Sequence, residues 1–330
     1  AESRRLMLDR IPLRKKEFAE YTFIVNKRQP AISLRDTVAV NPMECNILTW
    51  DDKLTLEFTG DAPAVQSVEI RPITAADRVT TVFLCGNSTV VDQTDEPWTS
   101  WGQIIPSFFD ATVAVSNHAE SGESASSFLA KGRLDKVLSM SRPGDWMIVE
   151  FGHNDQKETH PGSGAWYNFS HNLKIFIDRA RAAGVNLVFV TPTARRFFNS
   201  DGSVKDTHSD YPQAMREVAA REGVPLIELN GMTKTLYQSL GQERSKRAFV
   251  HYPAGTFHGQ TAPLADNTHF NPYGAAQVAR CVVKGLRETV PALASRLLPD
   301  DGYDPSSPAD PDTFVWFPAP FFKIEKPEGN

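Results

Sequence analysis

Cysteine is scarce in this chain: there are three in 330 residues, Cys45, Cys85 and Cys281. Three thiols cannot build a disulfide framework, and no pair has the Cys-x-x-Cys spacing of a zinc or redox site. Long apolar runs are missing as well. None approaches the roughly 18 residues that a membrane span needs, and mean hydropathy is −0.34, so no membrane is expected as a partner. Basic runs are missing too. Lys plus Arg number 35 against 40 Asp plus Glu, a net charge of −5, which speaks against nucleic acid as a partner. The opening Ala1-Glu2-Ser3-Arg4-Arg5 lacks the apolar stretch of a secretory leader, a segment that processing removes. No repeat occurs at solenoid periods. What remains is an ordinary globular balance, 41% hydrophobic and 23% charged, which excludes a largely disordered or collagen-like chain.

The chain changes grammar twice. Residues 1–78 read as strands: Tyr21–Val25 and Thr37–Val40 are rich in β-branched and aromatic residues, Leu54–Phe58 alternates, and Val68–Ile70 follows a turn. A small all-β, sandwich-like domain is expected there, short enough to be the tail of a longer module. Residues 79–292 alternate strand and helix. Val82–Cys85, Val113–Val115, Met147–Phe151, Leu187–Val190 and Leu226–Leu229 are short apolar runs, as expected of parallel strands buried on both faces. Between them, Phe169, Leu173, Phe176, Ile177 and Ala180 make one helical face, and Ala275, Val278, Ala279, Val282, Val283 and Leu286 make another. The expectation is a three-layer αβα domain with a five-stranded parallel sheet. Residues 293–330 are rich in proline yet carry Phe314, Trp316, Phe317, Phe321 and Phe322. That is too apolar for a free tail, so this extension should pack on the body.

Polar clusters follow the strands: Gly86-Asn87-Ser88-Thr89-Val90, then Asn117 to Ser124, then Gly152-His153-Asn154-Asp155. Asp266-Asn267-Thr268-His269 precedes the last helix. In such sheets ligands bind beyond the carboxyl ends of the strands, so the four clusters should meet there. A hydroxyl, an imidazole, a carboxylate and amide donors make the set that acyl transfer requires. A metal reading of His118, Glu120, His153, Asp155 and His269 finds no His-x-x-x-His spacing to support it, and Cys85 inside an apolar strand reads as a buried small residue.

These blocks resemble the SGNH (GDSL-type) hydrolases. Gly86-Asn87-Ser88-Thr89-Val90, Trp101-Gly102-Gln103 and Asp266-x-x-His269 are similar to the rhamnogalacturonan acetylesterases among them, over about residues 79–292. One departure is Asn87, where the family pattern carries Asp. The resemblance implies roles. Ser88 matches the nucleophile, His269 the general base and later acid, and Asp266 the group that orients the imidazole. The N–H groups of Ser88 and Gly122 and the Asn154 amide match the oxyanion donors. It implies a serine carbohydrate esterase without cofactor or metal, secreted or periplasmic in a bacterium. Such an enzyme would remove O-acetyl groups from plant cell-wall polysaccharide, acetylated rhamnogalacturonan first. Alternatives are another acetylated glycan such as xylan, a lipid esterase, or a carbohydrate-binding protein with a relict site.

Substrate contacts are expected from aromatic residues near the loops, Trp101 and Trp166 above all, whose faces stack on sugars. Arg195 and Arg196 follow the fourth strand. Arginine can clamp a carboxylate bidentately, and galacturonate supplies one.

Overall fold

Five short apolar runs pair side by side at the centre of the molecule, a computed structural model that describes residues 13–45, 50, 53–56, 58, 62–257 and 259–316. They are β1 (Thr80–Cys85), β2 (Val113–Asn117), β3 (Trp146–Val149), β4 (Asn186–Val190) and β5 (Leu226–Ile227). Every pairing is parallel, in the order β2-β1-β3-β4-β5. The period of two decides which side chain enters which core. Val82, Leu84, Ile148, Val188 and Val190 point to one face, and Phe83, Cys85, Met147, Val149 and Phe189 to the other.

Helices cover both faces, as parallel strands buried on both sides require. The first face holds α1 (Trp101–Ile104), and the second holds α2 (Ala125–Ala130), α3 (Arg133–Met140), α4 (Ser170–Ala182) and α5 (Tyr211–Glu222). Back on the first face lie α6 (Leu229–Arg244), α7 (Pro272–Thr289) and the short α8 (Pro291–Ala294). The expected stripes of α4 and α7 are buried residue for residue. Asn271 starts α7 by accepting the Gly274 N–H at 3.0 Å, and Pro272 follows at the first helical position, where its missing N–H costs nothing. A separate antiparallel ribbon, β6 (Phe249–Tyr252) with β7 (Leu264–Phe270), precedes α7.

The all-β domain expected at residues 1–78 does not form among the described residues. Val25 makes one parallel bridge to Val115 on the outer strand β2, and Ala31 makes one antiparallel bridge to Thr37. The run Val68–Ile70 is exposed and pairs with no strand among the described residues. Leu54–Phe58 falls partly outside the described residues. The physical reason is that β-branched, alternating residues select extended backbone, while a sheet also needs a partner in register. This segment instead runs over the helical body. Its Ala39 N–H donates to Lys131 O at 3.0 Å, and Ala31 O accepts from Lys136 Nζ at 2.7 Å.

In the C-terminal stretch, Phe314 and Trp316 pack against the α7 side of the core, and Tyr273 Oη donates to Ala309 O at 2.6 Å. Residues 317–330, with Phe317, Phe321 and Phe322, lie outside the described residues. No helix among the described residues is long and apolar enough to cross a membrane.

Candidate active site

Ser88 stands in a tight turn at the carboxyl end of β1. The turn is wound by Asn87, whose Oδ1 accepts the Thr89 N–H at 3.0 Å and whose carbonyl accepts Val90 N and Val91 N at 2.9 and 3.0 Å. Gln93 Nε2 donates to Ser88 O at 2.8 Å. Helix α1 presses on this turn from behind. A Cβ at Gly102 would lie 2.1 Å from Val90 O, so the Trp101-Gly102-Gln103 block owes its glycine to a close approach.

The fourth cluster does not sit at an end of the parallel sheet. Asp266 and His269 belong to β7, which reaches the site from the ribbon and is tied to the loop after β1 by a Thr99–Phe270 bridge. Ser88 Oγ lies 2.8 Å from His269 Nε2, and His269 Nδ1 lies 2.7 Å from Asp266 Oδ2. Asp266 Oδ1 accepts the N–H groups of Thr268 and His269 at 2.8 and 3.0 Å. Partial burial alone would raise the Asp266 carboxyl. The imidazole's hydrogen bond and charge and the two backbone donors outweigh that and hold it down at about 2. Asp266 is therefore an anion throughout the working range and fixes Nδ1 as the protonated nitrogen. Nε2 is then free to accept the hydroxyl proton.

Further donors stand in the loops that follow β2 and β3. The loop after β2 is pinned by His118 N to Leu84 O at 2.8 Å and Glu120 N to Gly86 O at 3.1 Å. Gly122, exposed at φ +83° with open space where a Cβ would be, turns this loop. Asn154 Nδ2 donates one proton to Glu123 O at 2.9 Å, which orients the amide and leaves its second proton available. Among the described residues the N–H groups of Ser88 and Gly122 donate to no protein acceptor. Free N–H groups beside an oriented amide are what a developing oxyanion requires.

Below the turn lies a carboxylate that the sequence reading missed. Glu150 is fully buried just past β3 and accepts from Thr89 Oγ1 at 2.8 Å, Trp101 Nε1 at 2.5 Å and Thr193 N at 3.3 Å. Burial pushes its pKa up to about 7, against the pull of those three donors. The signal was present: an acid inside the apolar run Met147–Phe151 needs buried donors. Asp155 is similar. It accepts the N–H groups of Ala125 and Gly152, both at 2.8 Å, and burial raises it to about 7. His153 is buried against His208, with Nδ1 and Nε2 3.2 Å apart. Burial lowers the pKa of both, so the pair is neutral. Among the described residues no three His, Cys, Asp or Glu side chains gather as metal ligands.

The expected substrate contacts fare differently. Trp101 is 0% exposed, packed in the core with its N–H on Glu150, so it has no face for a sugar. Its large apolar surface and single donor suit a core with one buried acceptor. Arg196 is buried and spends its donors on Ser245 Oγ at 3.0 Å, Asn267 Oδ1 at 2.7 Å and Gln242 O. Arg195 donates to Thr207 O at 3.1 Å and His153 O at 3.2 Å. Both guanidinium groups satisfy protein carbonyls and side chains rather than waiting for a carboxylate, because loops need donors for their own buried acceptors. Trp166 stays 49% exposed, anchored by Nε1 to Asp210 at 3.0 Å, beside Tyr167 at 70%. Cys85 is buried, and burial lifts its thiol far above the ordinary range, which leaves it inert.

The family model of GDSL-like lipases/acylhydrolases matches residues 84–277. Rhamnogalacturonan acetylesterase RhgT of Bacillus subtilis strain 168 is 39% identical over 223 residues, which cover 67% of this chain and 95% of that one. The probable rhamnogalacturonan acetylesterase YesY of the same strain is 32% identical over 63% of this chain and 92% of its own. The crystal structure of the Bacillus subtilis protein YxiM superposes with a TM-score of 0.55 at 28% identity, over 64% of this chain and 56% of that one.

Proposed function

Because this chain belongs to the GDSL-like lipase/acylhydrolase family and is a carboxylic ester hydrolase, we propose that it removes O-acetyl groups from pectin-type polysaccharide, acetylated rhamnogalacturonan first. The observation that carries the mechanism is the continuous relay from Ser88 Oγ through His269 to Asp266, at 2.8 and 2.7 Å. Ser88 Oγ attacks the acetyl carbonyl while His269 Nε2 takes its proton. The carbonyl oxygen becomes an oxyanion held by the N–H groups of Ser88 and Gly122 and by Asn154 Nδ2. The imidazolium returns the proton to the departing sugar hydroxyl, leaving an acetyl-serine. Water then attacks the acetyl carbonyl, His269 takes its proton, and acetate leaves as Ser88 Oγ recovers a proton. No step calls for a cofactor.

The substrate class is supported by the two Bacillus relatives, whose names carry rhamnogalacturonan acetylesterase. It is also supported by Trp166 and Tyr167, aromatic faces left open to a sugar ring. A polymer of that kind does not enter cells, so the enzyme works outside the cytoplasm, secreted or periplasmic. The test is acetate release across acetylated rhamnogalacturonan, homogalacturonan and xylan, with Ser88→Ala as control. Release from the first substrate in preference to the others is expected, and none from the variant. Equal release from all three would remove the substrate assignment. Activity in Ser88→Ala would remove the mechanism.

A further inference from the structure

The loop carrying Gly122 is gripped from outside the region matched by the family model, by the extended N-terminal segment. Asn41, just before the turn Pro42–Glu44, donates from Nδ2 to Glu123 Oε1 at 3.1 Å. It also accepts from Lys131 Nζ at 2.7 Å, and that ammonium lies 2.5 Å from the same Glu123 oxygen. Glu44 is buried and receives both terminal nitrogens of the fully buried Arg133, with Trp50 Nε1 at 2.7 Å and the Asn41 N–H at 2.8 Å. Arg133 Nε is 3.7 Å from Glu123 Oε1. Glu120 meets Glu44 inside this cluster.

These contacts have an unusual target. Glu123 follows Gly122 directly, and its carbonyl orients the Asn154 amide. Both proposed loop-borne oxyanion donors therefore depend on where residues 120–123 stand. A loop turned by an exposed glycine does not hold an N–H to within a few tenths of an ångström unaided. Buried, charge-assisted hydrogen bonds on either side of that glycine do.

We propose that Asn41 and Glu44 are positioning residues for the oxyanion donors, a clamp by which the N-terminal segment sets the catalytic competence of the body. The inference rests on the reading of Ser88, Gly122 and Asn154 given above. It has a consequence in pH. Glu120 faces Glu44 from the N-terminal turn and Arg133 from α3, with Glu123 and Lys131 next in the cluster. Burial first, then the Glu44 carboxylate, pushes Glu120 up to about 8 against the opposing charge of Arg133. Below that pH a protonated Glu120 can donate to Glu44. Above it two carboxylates repel across the clamp, and the loop loses its hold.

The test uses the full chain and p-nitrophenyl acetate, which has no sugar to bind. Asn41→Ala is the primary variant, because Asn41 is only half-buried and its loss leaves Glu44–Arg133 intact. Its kcat should fall by about tenfold, and that of Glu44→Gln by roughly the hundredfold loss of a displaced catalytic group, with KM within about twofold in both. Glu120→Gln stays neutral and should keep wild-type kcat at pH 7 while abolishing the alkaline decline in kcat near pH 8. Wild-type kcat in Asn41→Ala, or an alkaline limb that persists in Glu120→Gln, would overturn the proposal. Ser88→Ala run alongside separates the two readings: if it alone loses activity, the serine mechanism stands and the clamp falls.

Discussion

Lys157 Nζ donates to Asn154 Oδ1 at 2.8 Å, while the Nδ2 end of the same amide donates to Glu123 O at 2.9 Å, beside Gly122 in the chain. An ammonium on the amide oxygen draws electron density from the nitrogen and makes its N–H a better donor. Lys157 is exposed, so the gain is that of a surface charge contact, about 0.5–1 kcal/mol. Lys157→Met should therefore lower kcat about two- to fivefold on any acetyl ester, with KM unchanged. The wild-type advantage should shrink as salt rises. A variant with raised KM and normal kcat would make Lys157 a substrate contact.

Removing the amide itself should cost far more. In the proposed mechanism Asn154→Ala deletes a donor to charge that develops only in the transition state, a loss of about 10² to 10³ in kcat, or roughly 2.7–4 kcal/mol. KM should move little, because the ground-state carbonyl carries much less charge. Steady-state kinetics on p-nitrophenyl acetate decide this, and a loss confined to KM would take Asn154 out of the oxyanion site.

Glu150 and Asp155 put a pH dependence into stability. Each is raised by burial to about 7, well above the ordinary range of an unfolded carboxyl. The folded state thus binds these protons more tightly than the unfolded state. Stability from this source is full below about pH 4 and is lost as pH rises through 7. Each group contributes at most about 1.4 kcal/mol per pH unit. Glu150→Gln keeps an acceptor for Trp101 Nε1 and carries no charge, so urea midpoints measured from pH 5 to 8 should fall less steeply in it than in the wild type. Identical slopes would mean that Glu150 is ionised in the folded protein across that range.

Much of this site is written locally in the chain. Short apolar runs followed by Gly-x-Ser, by Gly122 and by Asn154 place donors at strand ends, because in a parallel sheet every such run finishes on the same side. The spacing of Asp266 and His269 is also local, since a three-residue step in β7 lets one carboxylate hold both the ring and the chain that carries it. What could not be read depends on distant partners. Trp101 looks the same in sequence whether it faces a sugar or Glu150, 49 positions away. Tyr21–Val25 has the residues of a strand, and only the position of β2 shows that Val25 finds a single bridge there. Glu44 lies in a stretch with no motif, and its meaning appears only against Arg133.

The contrast between Arg196 and Trp166 tests which side chains touch substrate. Arg196 ties the loop after β4 to α6 and to Asn267 of β7, one residue from Asp266. Replacing it with Gln removes its hydrogen bonds to Ser245 Oγ, Asn267 Oδ1 and Gln242 O, each worth about 0.5–1.5 kcal/mol. Arg196→Gln should therefore lower Tm by several degrees and reduce kcat/KM by the same factor on p-nitrophenyl acetate and on acetylated rhamnogalacturonan. Trp166 is half-exposed and contributes one hydrogen bond to Asp210. Trp166→Ala should leave Tm within about a degree and kinetics on the aryl ester unchanged, while KM for the polysaccharide rises about three- to tenfold. That is the loss of one aromatic face, on the order of 1 kcal/mol. The two variants thus move different pairs of measurements. If Arg196→Gln spared the aryl ester and raised KM only on the polymer, the guanidinium would be reaching a galacturonate after all. If Trp166→Ala changed neither substrate, recognition would have to come from Tyr167 or another exposed ring.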